Sequence, residues 1–147
     1  RGHFMELQWL PRNVAAGFLR DTTADYGETQ PFRNTITAAT WKNWGRRKLF
    51  AHADAELPVG EMALDVLPID RAIAVFDQIR PGSLILTVRV HRPWIPLWIT
   101  HVGFTIPAAT PTVRHATKMK SSLKVRDHGL KWYLETIKAY PNWPTAG

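Results

Sequence analysis

The chain has 147 residues, 45% of them apolar and 21% charged, the balance of a globular protein with a core and not of a disordered segment. No apolar run is long enough to cross a bilayer, and no secretory leader is visible in a sequence that opens on Arg1 and not on methionine. The absence of cysteine excludes disulfides, thiolate metal sites and a cysteine nucleophile within these residues, while the net charge of +7 suggests a polyanionic partner: nucleic acid, acidic lipid or cell-wall polymer.

Taken in chain order, residues 1–147 read as a single domain without internal repeats. "HFMELQWLPRNVAAGFL" has a loosely helical rhythm that Pro11 interrupts. The stretch that follows is loop-rich, with a strand expected from Ile36 to Trp41 on its β-branched and aromatic content. "LPIDRAIAVFDQI" sets Ile69, Ile73, Phe76 and Ile79 near one face of a helix, with Pro68 at its first turn. Pro81 and Gly82 then stop the helix and turn the chain into a buried strand, "LILTVRV". The prolines of "HRPWIPL" block further pairing before a second strand, "WITHVGFTI". "TVRHATK" is the third strand, and the basic run "KMKSSLKVR" reads as an exposed loop. In "DHGLKWYLETIKAY" Asp127 is placed to cap a final helix whose buried stripe is Leu130, Tyr133, Leu134 and Ile137. Helices first, then a small antiparallel sheet, then a closing helix make an α+β layout.

An ionisable ring stands in the middle of the second strand. Strict alternation puts Trp98, Thr100, Val102, Phe104 and Ile106 on one face, and His101, Gly103 and Thr105 on the other. A hairpin closing through residues 107–109 would pair Ile106 with Thr110, Phe104 with Thr112, and His101 with His115. The two imidazoles would then share a face with Cβ atoms roughly 5 Å apart. One ring could take a proton from a nucleophile while the other fixes its tautomer, and Gly103 would leave room for a substrate backbone or a helix. Two alternatives stay open here. His101 could be a core histidine bonded to a carbonyl with His115 exposed, or His101, His115 and Asp127 or His128 could hold a metal.

"IRPGSLILTV", "ITHVGFTI" and "VRHAT" together resemble the C-terminal half of the NlpC/p60 superfamily of papain-like cell-wall hydrolases. "RGHFMELQWLPRN" and "RHAT…VRDHGLKWYL" resemble, more narrowly, its N-acetylmuramoyl-L-alanine amidase-like branch, first catalogued as domain of unknown function 1460. The resemblance implies a papain-like fold with an antiparallel sheet flanked by helices, His101 as general base and His115 as the residue that orients it. It implies a cysteine nucleophile at a helix N-terminus upstream of Arg1, so the chain is expected to be the C-terminal part of a larger amidase domain. That segment would join in cis or as a separate chain, and these residues alone would be inactive. The implied reaction cuts the amide between the lactyl group of muramic acid and L-alanine in muropeptides, with anhydro-muropeptides preferred. The implied setting is the bacterial envelope, periplasmic or exported, and no cofactor is expected.

Arg1, His3 and Trp9 match the branch signature and could line the cleft, an arginine recognising carboxylate and an indole stacking on sugar; their alternative is packing at the sheet edge. Arg89 and His91 fall where a cleft rim would be. "WKNWGRRKLF" interleaves aromatics with cations, a pattern that could grip single-stranded nucleic acid but equally suits a solvated surface. Two rival functions follow: a non-catalytic relative that binds cell wall or a partner protein, and a basic nucleic-acid-binding domain.

Overall fold

Backbone pairing sorts the strands into two antiparallel sheets in a computed structural model that describes residues 4–49, 51–90, 92, 95–119 and 122–140. Among these residues the fold is α+β, with six strands and four short α-helices. The chain enters through a wide helical turn, Met5–Trp9, which runs into α1, Leu10–Ala15. Pro11 does not break this segment. It sits in the first turn of α1, where a missing N–H costs no helical hydrogen bond.

β1 (Gln30–Ile36) pairs with β2 (Gly60–Val66) in a two-stranded ribbon. The strand expected at Ile36–Trp41 is therefore displaced: Ile36 closes β1, and residues 38–43 form helix α2, Ala38–Asn43. The reason is local. The Thr37 hydroxyl accepts from the Thr40 amide at 3.1 Å, and the Thr40 hydroxyl accepts from the Thr37 amide at 3.1 Å, a reciprocal cap that starts a helix. Trp41 then points inward, with its indole N–H donating to the Pro58 carbonyl at 2.7 Å and its ring edge-on to Phe4.

The second sheet is a meander of β3 (Leu84–Val88), β4 (Ile99–Ile106), β5 (Thr112–Met119) and β6 (Ser122–Gly129), in that spatial order. Helix α3 (Ile69–Ala74) precedes it and α4 (Leu130–Lys138) closes it. α3 is shorter than its apolar rhythm, with Phe76 in a following 3-10 turn, yet Ile69, Ile73, Phe76 and Ile79 all pack on Val113, Leu130, Tyr133 and Leu134. Gly82, at φ +86°, makes the turn into β3 and donates to the Thr105 carbonyl at 2.8 Å.

β6 occupies the basic run expected to be a loop. Its side chains at Leu123, Lys124 and Val125 are exposed, so hydropathy gives no sign of the pairing that orders it. Asp127 lies inside β6 opposite Arg114 and bonds its guanidinium at 2.7 and 2.8 Å. It does not cap α4, whose cap position is Gly129 and whose first amide donates to the Pro111 carbonyl.

The two sheets meet around Trp98, which is wholly buried with Phe32, Met62 and Val88. Glu6 braces the junction: one buried carboxylate oxygen accepts the amides of Trp98 at 2.6 Å and Ile99 at 2.7 Å, at the entrance to β4. Between α1, β2, β3 and α4 runs a cavity of about 780 Å³ lined by residues that include Val14, Leu64, Ile85, Thr87 and Leu134.

Candidate active site

The register of the β4–β5 hairpin decides where the histidines stand. Ile106 pairs with Thr112 and Gly103 with His115, so the loop is two residues longer than 107–109 and the expected pairing of His101 with His115 is off by two. A two-residue shift preserves the face, because side chains alternate with a period of two. His101 and His115 accordingly share a face as diagonal neighbours, with His101 directly opposite Thr87 of β3. The alternation does fail further back. Thr100 is an extra residue in β4, a bulge between the Thr87–His101 and Val88–Ile99 pairs, and its hydroxyl donates to the Thr87 carbonyl at 3.1 Å. Trp98 is thereby buried while Phe104 stays 54% exposed.

His101 Nε2 lies 2.7 Å from His115 Nδ1, with the rings edge to face. His115 Nε2 in turn lies 2.8 Å from Nδ1 of His128, which β6 places on the same face. Tyr133 from α4 covers the pair: its ring is 4.9 Å from that of His115, and its hydroxyl shares a 3.2 Å hydrogen bond with Thr87. Helix α4 is held there by the same Leu130–Tyr133–Leu134 stripe that builds the core, so the packing that forms the fold also roofs the site. His115 is only 8% exposed, which excludes the arrangement with an exposed His115. His101 is half-buried, and among the described residues its Nδ1 has no hydrogen-bond partner.

Burial lowers the pKa of His101. Burial also lowers that of His115, reinforced by repulsion from His101 and His128. Burial raises the Tyr133 pKa, partly offset by its bond to Thr87. The rings are thus held neutral near pH 7, the state in which one nitrogen of each can accept a proton.

Gly103 does not leave space for a substrate. A Cβ built on it would lie 2.7 Å from Val113 Cγ2 and 3.4 Å from His115 Cβ, so its missing side chain is filled by cross-strand neighbours. The metal arrangement is not formed either. The three rings run in series with nitrogens facing one another, Asp127 faces the opposite side of the sheet, and no three His, Asp or Glu side chains among the described residues converge on a point that could hold an ion. His128 is the member that sequence reasoning entered only as a metal ligand. Pairing "SLKVRDHG" back onto β5 would have put it beside His115.

The other candidates lie elsewhere. Trp9 ends the wide helical turn, its carbonyl accepting from Asn13 Nδ2 at 2.7 Å, and no ring contact or hydrogen bond joins it to the histidines. Arg89 follows β3, donates its amide to the Trp98 carbonyl at 3.0 Å, and has its pKa lowered by burial and by Arg46 and Arg92 against the pull of Glu6. Arg1, His3 and His91 fall outside the described residues. In the aromatic–cation stretch Trp41 is 2% exposed and so offers no face for stacking, and Arg47 is bonded to Asp54.

A family model described as AmiA-like, N-acetylmuramoyl-L-alanine amidase-like, matches residues 1–140. No curated protein and no solved structure matches the chain. The family match spans both sheets and all three histidines, and it sets the domain in the context of amide hydrolysis on the bacterial cell wall. By this match, the chain belongs to the AmiA-like, N-acetylmuramoyl-L-alanine amidase-like family.

Proposed function

We propose that this chain carries the general base and the orienting residue of a cysteine-type N-acetylmuramoyl-L-alanine amidase of the NlpC/p60 superfamily, with a papain-like arrangement at its centre. The observation that carries the reading is the 2.7 Å contact between His101 Nε2 and His115 Nδ1. It ties up one nitrogen of His101, and when the proton of that contact sits on Nε2 the other nitrogen, Nδ1, is the acceptor. The 147 residues contain no cysteine, so the thiol comes from protein outside them, in cis or as a separate chain. The open cavity of about 780 Å³ is consistent with this: the histidines do not line it, but Thr87, the residue opposite His101, does.

The thiol proton passes to His101 Nδ1 as sulfur bonds to the lactyl carbonyl carbon. The C–N bond to L-alanine then breaks, and the imidazolium returns the proton to the departing amine. Water, deprotonated by the same nitrogen, hydrolyses the thioester to a carboxylate and frees the thiol. Trp9 and Arg89, with Arg1 and His3, are the residues offered for binding muropeptides, anhydro-muropeptides among them, and the setting is the periplasm or an exported location. Without the thiol-bearing segment the chain is inactive.

The test is His101→Ala in the complete protein, assayed on a purified muropeptide. Amide cleavage should fall by about 10²- to 10⁴-fold with the fold retained, the usual weight of a positioned general base. Undiminished cleavage would refute the base assignment. Binding of muropeptide without any cleavage, in wild type as well, would favour the non-catalytic relative.

A further inference from the structure

We propose that His128 is a positioning residue of the same site: by accepting the ring proton of His115, it fixes which nitrogen of His101 is left bare. The proposal rests on His101 being the base, and it follows from counting protons along the series. Each neutral imidazole carries one N–H, and each close N···N contact needs one proton between its nitrogens. The contacts are His101 Nε2 to His115 Nδ1 at 2.7 Å and His115 Nε2 to His128 Nδ1 at 2.8 Å. Three neutral rings satisfy both contacts in only two ways.

In the first arrangement every ring carries its proton on Nε2. His101 donates to His115, His115 donates to His128, and His101 Nδ1 keeps its lone pair. In the second every ring carries its proton on Nδ1, both bonds reverse, and His101 Nδ1 becomes a donor that cannot take a proton. His128 bears on the choice because His115 is buried. Without an acceptor at position 128, the first arrangement strands a buried N–H on His115 Nε2. The second strands only a lone pair there, a smaller loss, so the balance tips toward the inactive form. His128 is itself held, its ring 4.6 Å from that of Trp132 on α4.

The experiment uses the complete protein labelled with ring ¹⁵N-histidine, with tautomers read by NMR and amide cleavage measured in parallel. Wild type should show His101 and His115 protonated on Nε2. His128→Phe keeps an aromatic ring against Trp132 but has no acceptor; it should move His101 toward the Nδ1–H form and lower kcat roughly tenfold or more at near-constant KM, as loss of an orienting partner does. His128→Asn, whose side-chain oxygen lies near the Nδ1 position, should restore both. A wild-type His101 protonated on Nδ1 would overturn the proposal without any variant, and so would a His128→Phe tautomer identical to wild type, even with activity lost. A tautomer shift in a protein that never cleaves muropeptide would uphold the coupling and sink the base assignment instead.

Discussion

Gly103 and His115 face each other across β4 and β5, and the space a side chain at 103 would need is taken by Val113 and His115. An alanine at position 103 would put a methyl carbon 2.7 Å from Val113 Cγ2 and 3.4 Å from His115 Cβ, inside contact distance for atoms carried on packed strands. Gly103→Ala should therefore cost about 1–3 kcal/mol, the range of overpacked cores, and should shift the His115 ring resonances. Urea unfolding measures the first, and Val113→Ala in the same molecule should recover part of the loss. A Gly103→Ala protein as stable as wild type would show that the strands part at no cost. The sequence made the shared face of His101 and His115 legible, because a two-residue error in register leaves parity unchanged. It could not show the function of the glycine, since an absent side chain looks the same whether substrate or Val113 fills its place.

At the level of elements, what could be read was what had an apolar signature. α4, β4 and β5 carry one, and so does the stripe of α3, whose residues reach the core although the helix itself stops at Ala74. β6 carries none: Leu123, Lys124, Val125 and Asp127 are exposed, and the strand exists because its backbone pairs with β5 along eight positions. Missing β6 misassigned Asp127 as a helix cap and hid His128. The two roles of Asp127 predict different experiments. As the partner of Arg114 on an open sheet face, it makes a charge pair that salt screens; its own pKa is lowered by that hydrogen bond. Asp127→Ala should lower Tm slightly in dilute buffer, and the difference should vanish near about 1 M salt, where the screening length is about 3 Å. A salt-independent loss of Tm, with α4 helicity reduced, would return Asp127 to the cap.

Across the whole molecule, the site sits where the parts meet. Glu6, from the chain entrance, holds the amides that open β4; Trp98 joins the two sheets; α4 roofs the histidines and lines the cavity beside Thr87. Local pattern did not make these contacts legible, because they join separate elements; the Glu6–Trp98 and Thr87–Tyr133 hydrogen bonds link residues more than forty positions apart. This placement makes global stability answer to the protonation of the site. Folding lowers the pKa of His101 by burial, and that of His115 by burial and by its histidine neighbours. The unfolded chain, titrating near about 6.5, then binds more protons than the folded one as the pH drops through that value. The contribution of the two rings is therefore complete above about 6.5 and is lost progressively as pH falls toward their depressed folded values. The urea midpoint of the wild-type protein should fall between about pH 7.5 and pH 5, and His115→Gln, which cannot take up a proton, should flatten that slope. Parallel wild-type and His115→Gln profiles would mean that His115 accepts a proton as freely folded as unfolded. A water-filled site could do that, but two imidazoles in contact beneath Tyr133 could not.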